Sequence, residues 1–259
     1  MSHPEQLKFV ELTSKFFNLN NDPSLKVLEV GSYIVNGTVR PFFYGSQYIG
    51  VDLMPGPGVD IVLNGKEINL PDETFDVAIS CECFEHNPHW VESFQIMDKK
   101  IKKCGILIVS CASRGRLEHG TNRTHPESSP GSQSLGWDYY KNLTKKDFFN
   151  NLSLDDIFSS YIFVYNGTSK DLYFVGLKLG ENSRLKGMHL ADLQSQLKKI
   201  DTLLPVSKTP KIVKYLYSIS RIPLYVTSFL PDNVYQNFAI PYSGLVQKLR
   251  FGLRKFLGI

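Results

Sequence analysis

The chain has 259 residues, 42% hydrophobic and 21% charged, close to globular averages, so it can bury a full core and is not disordered overall. Its net charge of +4 divides unevenly: residues 181–259 hold 12 Lys/Arg against 4 Asp/Glu, and residues 1–180 hold 17 against 21. An acidic body with a basic tail excludes a nucleic-acid binder whose basic residues run throughout the fold, and no eighteen-residue apolar run predicts a spanning helix.

The start, "MSHPEQLKFVELTSKFF", lacks the basic opening, apolar middle and small-residue cleavage site of a secretory leader, so a cytoplasmic protein is expected. "LKVLEVG" (25–31) is a continuous apolar run, as in a strand buried on both faces of a parallel sheet. "GTVRPFFYG" reads as a short helical turn interrupted by Pro41. "QYIGVD" (47–52) and "VDIVL" (59–63) predict two strands separated by the loop "LMPGPG", and "TFDVAISCE" (74–82) predicts a fourth. Trp90, Val91, Phe94, Met97 and Ile101 recur at helical spacing, predicting a helix over 87–103 that ends at Cys104-Gly105. "GILIVSCA" (105–112) is the fifth strand, and a long polar stretch, 113–138, follows it. Thr144 should cap a helix over 144–152, and 157–167 with 171–179 should form a hairpin adding an antiparallel edge. The pattern implies a doubly wound, mostly parallel α/β domain over 1–180, followed by a basic, helical extension over 181–259.

All four cysteines, Cys81, Cys83, Cys104 and Cys111, fall in strand-like runs. Alternation places Cys81 and Cys83 on one strand face, and they read as small buried hydrophobes, so no metal is expected. In the tail, Leu245, Leu249, Leu253 and Phe256 form a helical stripe, with Lys248, Arg250, Arg254 and Lys255 on other faces. Two readings fit: a peripheral membrane helix over 240–259 drawn to anionic lipid, or a helix packed on the core or on a homodimer partner.

In a doubly wound sheet, ligands sit beyond the carboxyl ends of the strands. Glu29 and Gly31 end the first strand and Asp52 ends the second, placed to accept hydrogen bonds from ribose hydroxyls. Gly31 and Gly37 stand six apart and Tyr33 replaces the second glycine of a dinucleotide loop, so a pyrophosphate would fit poorly. A nucleoside joined to an amino acid asks less of such a loop.

"LPDETFDVAISCECFEH" (Leu70–His86), with "LEVGSYIVNG", "YIGVD" and "KKCGILIVSCA", resembles the class I S-adenosylmethionine-dependent methyltransferases of small-molecule type, over about residues 20–180. The resemblance implies a seven-stranded sheet with an antiparallel last strand and S-adenosylmethionine as cofactor. It would place Glu29 and Gly31 at the methionine end, Ser32 and Tyr33 in the loop beneath it, Asp52 on the ribose and Leu53 against adenine. Cys81 and Glu82 would lie by the amino group and the transferring methyl. Lys66 stands where many members carry an acid for the adenine amine, leaving Asp60 or a backbone carbonyl as substitute. A general base for a hydroxyl acceptor would come from Glu82, His86, His119 or His125. Arg114, Arg116 and Arg123 are candidates to grip an anion, and Trp137, Tyr139 and Tyr140 to wall an acceptor pocket. The expected activity is methyl transfer to a small molecule, a sugar or a glycan or lipid-linked precursor. The rivals are an NAD-dependent oxidoreductase and a catalytically silent methyltransferase-like binding module.

Overall fold

The computed structural model describes residues 2–180, 188–205 and 210–257. Its centre is a seven-stranded sheet of β1 (Lys26–Val30), β2 (Gln47–Asp52), β3 (Ile61–Val62), β4 (Phe75–Cys81), β5 (Ile101–Ala112), β6 (Phe158–Asn166) and β7 (Asp171–Lys178). The spatial order is β3-β2-β1-β4-β5-β7-β6, and β7 runs antiparallel to both its neighbours. The antiparallel strand is therefore interior and β6 forms the edge, a placement that correct hairpin prediction could not supply. The fold class is the expected one: a doubly wound, mostly parallel sheet of seven strands with an antiparallel last strand, followed by C-terminal helices.

Strand alternation sorts the core into two layers. Val27, Val77, Ile79, Ile108 and Val175 face α1 (Pro4–Phe16), while Leu28, Ala78, Leu107, Val109 and Phe174 face α2 (Trp90–Lys100). Helix α1 presents Phe9, Val10 and Thr13 at helical spacing, with Pro4 at its first position and the His3 ring accepting from the Gln6 amide. Phe9 stacks flat on Tyr173, their ring centroids 4.3 Å apart. On the other face, α2 packs beside α4 (Lys145–Asn151), whose start is a capping box between Thr144 and Asp147, as the Thr144 cap led one to expect.

Several boundaries move. The helix predicted to 103 stops at Lys100, and β5 begins at Ile101 with an irregularity where Cys104 takes φ +60°. Between α4 and β6 lies the single turn α5 (Leu154–Ile157), and α3 (Pro130–Ser134) interrupts the polar stretch 113–138. The extension is not one unit. Its first helices, α6 (Leu190–Leu197) and α7 (Ile200–Leu203), add Leu190, Leu193, Leu197 and Ile200 to the same layer as α1, so the boundary expected at 180 cuts through the cover of the sheet. Helices α8 (Lys211–Ser220), α9 (Ile222–Thr227) and α10 (Asp232–Leu257) form a separate cluster on Leu224, Tyr235 and Ala239.

Phe174 sits at the hub of the α2 face, within 6.0 Å of the rings of Phe94, Phe148, Phe158 and Phe163. Phe174→Ala should cost about 3–5 kcal/mol of stability, measured by urea unfolding; a cost below about 1 kcal/mol would deny this cluster its place in the core.

Candidate active site

Beyond the carboxyl ends of β1, β2 and β4 the chain encloses a cavity of about 900 Å³, counted with its open mouth. Every residue expected to hold the cofactor lines it: Glu29, Gly31, Ser32, Tyr33, Asp52, Leu53 and Cys81. Of the four candidate bases, Glu82 and His86 line it directly. His119 packs edge-on against His86 behind that wall, ring centroids 4.9 Å apart.

The loop after β1 is held by backbone chemistry. The amides of Gly31 and Ser32 both donate to the Val51 carbonyl, at 2.9 and 3.2 Å. Asp52 accepts from the Tyr33 amide at 2.8 Å and from its neighbour Leu53 at 2.7 Å, so its carboxylate ties the loop to the end of β2. Burial raises the Asp52 pKa against these donors. Gly31 is required twice over: its φ is +84°, and an added Cβ would lie 2.6 Å from the Cys83 Cβ. The Cys83 side chain is what presses on this glycine. Between Gly31 and β2 the only helical structure is a 3-10 turn, Arg40–Phe43.

Buried acids ring the cavity. Glu29 accepts from the Tyr48 hydroxyl at 2.9 Å, yet burial pushes its pKa up to about 7; the Tyr48 bond and Arg40 oppose the rise and Asp52 and Asp60 add to it. Glu82 adopts φ +51°, an uncommon conformation for a residue with a side chain, and accepts from the Ser110 hydroxyl at 2.9 Å. Its pKa is raised by burial and by the nearby charge of Asp171. The turn at Glu82 also breaks strand alternation: Cys81 packs with the α1 layer and Cys83 with the α2 layer, so the two thiols do not share a face. Burial drives both thiols well above the ordinary cysteine range, which makes them inert.

Sequence reasoning missed a second tier. His3 Nε2 lies 2.8 Å from Asp171 Oδ2 and 3.8 Å from Glu82 Oε2, and Arg116 stands 3.7 Å from Asp171. Burial lowers the His3 pKa, but the Asp171 hydrogen bond and the charges of Glu82 and Asp171 outweigh it and the net shift is upward. His3 was legible only as a polar residue before Pro4; that it reaches the start of β7 is a tertiary fact. Ser2, Asn64, Asn87 and the segment 128–132 also line the cavity. That segment closes over Asp52: an added Cβ at Gly131 would meet Asp52 Oδ1 at 2.9 Å.

Other expectations are displaced. Asp60 is taken by the Gly50 amide and Arg40 and lies outside the lining, as does Lys66, so Asp60 is not free for an adenine amine. His125 is an exposed residue paired with Glu127, remote from any role as base. The three arginines are structural: Arg116 donates to the Ser169 carbonyl, Arg123 pairs with Glu118 and bonds Asn237, and Arg114 lies over the Phe229 ring. Trp137 packs on His89, while Tyr140 wedges against both His86 and His119. Burial holds the His86 pKa well below its ordinary value and that of His119 down at about 4, so both rings are neutral.

The structure holds Glu29 protonated up to about pH 7, whereas the unfolded side chain ionises near 4.5. Between those limits the unfolded state binds fewer protons, so stability falls as pH rises through this window. Glu29→Gln cannot ionise and should escape that fall, opening a gap from wild type of up to about 3 kcal/mol between pH 4.5 and pH 7. Denaturant unfolding at both pH values measures it, and parallel curves would contradict the assignment.

No protein-family model matches the sequence, and no curated protein matches it. Among solved structures the chain is similar to the YcgJ protein from Bacillus subtilis, at TM-score 0.45 and 11% identity over 66% of this chain and 99% of that one. A second is the Burkholderia thailandensis 1,6-didemethyltoxoflavin-N1-methyltransferase with bound 1,6-didemethyltoxoflavin and S-adenosylhomocysteine, at TM-score 0.47 and 15% identity over 68% and 79%. A third is a Haemonchus contortus phosphoethanolamine N-methyltransferase 2 in complex with phosphomonomethylethanolamine and S-adenosylhomocysteine, at TM-score 0.46 and 12% identity over 66% and 52%.

Proposed function

We infer that this chain is a cytoplasmic S-adenosylmethionine-dependent methyltransferase acting on a small molecule. One observation carries the reading: the ends of β1, β2 and β4 bring Glu29, Gly31, Asp52 and Glu82 to one cavity, beyond the carboxyl ends of the strands where such sheets bind ligands. Among the buried atoms of lining residues, Ser32 Oγ and Glu82 Oε2 have no hydrogen-bond partner, which fits a ligand bearing amine or hydroxyl donors. When bound, S-adenosylmethionine would supply a methyl group on positively charged sulfur. Glu29 and Glu82 would face its cationic methionine end, and Asp52 its ribose. The chain's own contribution is positioning and exclusion of water, with neutral His86 bordering the cavity as an acceptor for a hydroxyl proton.

A dinucleotide is disfavoured on structural grounds. A pyrophosphate is seated by the N-terminus of the helix that follows the first strand, and here that segment holds only the 3-10 turn Arg40–Phe43. Calorimetry separates the three readings: S-adenosylhomocysteine should bind and NAD should not, whereas a silent module with no cofactor would bind neither. Asp52→Ala should raise the dissociation constant for S-adenosylhomocysteine more than about fivefold, roughly 1 kcal/mol, and an unchanged constant would reject the ribose assignment.

For the acceptor we propose a sugar, or a glycan or lipid-linked precursor, on the strength of the tail. Residues 205–259 carry eight Lys/Arg against the single acid Asp232. Leu245, Leu249 and Phe251 on α10 are exposed, as are Tyr225 and Val226 on α9 and Phe229 just after it, while Val246 packs inward. The side chains of Leu253, Arg254, Lys255 and Phe256 lie outside the described residues. No helix among the described residues is long and apolar enough to cross a membrane. An apolar face set among basic residues suits peripheral contact with an anionic bilayer; a homodimer is the competing use of the same face. The full chain should float with phosphatidylserine vesicles and a chain lacking 240–259 should not; equal flotation of the two, or a salt-independent dimer in its place, defeats the lipid reading.

A further inference from the structure

Glu85 and His86 end the 3-10 turn Phe84–His86 that follows β4, and His119 comes from the long loop after β5. Each offers a ligand atom within 4.8 Å of the other two, and all three side chains are buried, Glu85 completely. Five of their polar atoms have no hydrogen-bond partner: both oxygens of Glu85, both ring nitrogens of His86, and Nε2 of His119. Left so, the cluster costs several kcal/mol, because each buried polar group forfeits its bonds to water without replacing them. Most of the deficit has one sign: the oxygens of an ionised Glu85, Nε2 of His119 and the unprotonated ring nitrogen of His86 are electron-pair donors without an electron-pair acceptor, while the other nitrogen of the neutral His86 ring carries a proton.

His119 is preset for that role. Its Nδ1 lies 3.0 Å from the Leu117 carbonyl, which can only accept, so the proton sits on Nδ1 and the lone pair on Nε2. A carbonyl holding the far nitrogen of an imidazole is the usual outer support of a metal-bound histidine. The ring of His86 has room because residue 120 is glycine: an added Cβ there would lie 2.8 Å from His86 Cε1. Tyr140 packs against both rings and fixes their mutual angle.

We propose that Glu85, His86 and His119 form a binding site for one divalent transition-metal ion, a two-histidine, one-carboxylate site bordering the cavity. The donor set suits zinc, iron(II) or cobalt(II) and leaves coordination positions open for water or an oxygen of the acceptor. Tetrahedral zinc with bonds near 2.0–2.1 Å sets its ligands roughly 3.4 Å apart, so the three side chains would close inward by modest rotations about their own torsions. The other cluster of this kind, His3, Glu82 and Asp171, is a poorer candidate. His3 and Arg116 already supply positive charge to Asp171, whereas no described cation contacts Glu85. Because His86 also lines the cavity, an ion here would take the lone pair through which that ring could accept a proton and would instead lower the pKa of an acceptor hydroxyl; in that use the inference rests on the methyltransferase reading, whereas ion binding itself does not.

The untagged full chain, stripped with chelator and desalted, should take up one equivalent of Zn²⁺ by elemental analysis. With Co²⁺ it should show visible d–d absorption bands. Glu85→Gln and His119→Ala should each weaken Co²⁺ binding at least tenfold, while Asp171→Asn should bind as wild type does. Wild-type protein that holds no ion and shows no bands overturns the proposal, and this arm stands even if a variant fails to fold. Uptake that Asp171→Asn abolishes and Glu85→Gln spares also overturns it, by moving the ion to the other cluster. Calorimetry with S-adenosylhomocysteine, run on stripped protein, reports separately on the cofactor reading.

Discussion

The site depends on one carboxylate. Asp52 takes the amides of Tyr33 and Leu53, and the loop after β1 is thereby locked to the end of β2. Together with the Gly31 and Ser32 amides on the Val51 carbonyl, that tie holds a segment, 31–46, which lacks the α-helix that ordinarily follows such a strand and has the turn Arg40–Phe43 in its place. The same oxygens face the 128–132 segment across a gap that only the hydrogen of Gly131 fits. Loop, strand end and cover are thus fixed by two amides and two glycines. Asp52 serves structure first, and any role in ligand binding uses the lone pairs that remain.

Around it the chain gathers Glu29, Glu82, Glu85 and Asp171, all buried, and burial disfavours the charged form of each. The compensation differs from one to the next. Glu29 has Tyr48, Glu82 has Ser110, and Asp171 has His3 with Arg116 at longer range. Glu85 has none. Such unevenness is what a site for cationic ligands would show, since the groups left short of positive charge are those a bound cation would satisfy. The N-terminal segment takes part directly: the cap of α1 and the partner of Asp171 are the same histidine, so the start of the chain and the start of β7 are joined at the rim of the cavity.

The C-terminal helices are more than an appendage. Tyr235 donates to the Gly115 carbonyl, Gln236 bonds both the Arg116 carbonyl and the Glu118 amide, and Asp232 accepts from the amide and side chain of Asn142. The first turns of α10 therefore brace the loop that carries Arg116 and His119. A surface engaging the outer face of these helices would be mechanically connected to the cavity wall, without any side chain of the tail entering it.

The sheet and the first tier of the site are written in local features of the chain. Apolar runs and helical spacing are local signals, and in a parallel sheet the ligand edge follows from where strands end, so Glu29, Gly31, Asp52 and Glu82 could be read directly. Helix α1 is equally legible in the helical spacing of Phe9, Val10 and Thr13 behind Pro4. Tertiary structure alone decided the rest. The insertion of β7 between β5 and β6, the separation of Cys81 from Cys83 by the left-handed turn at Glu82, and the meeting of His3 with Asp171 and of Glu85 with His119 all join residues distant in the chain or reverse a local alternation. Periodicity reports which face a residue shows its own element; which other element lies against that face is set by packing, and packing leaves no mark on spacing.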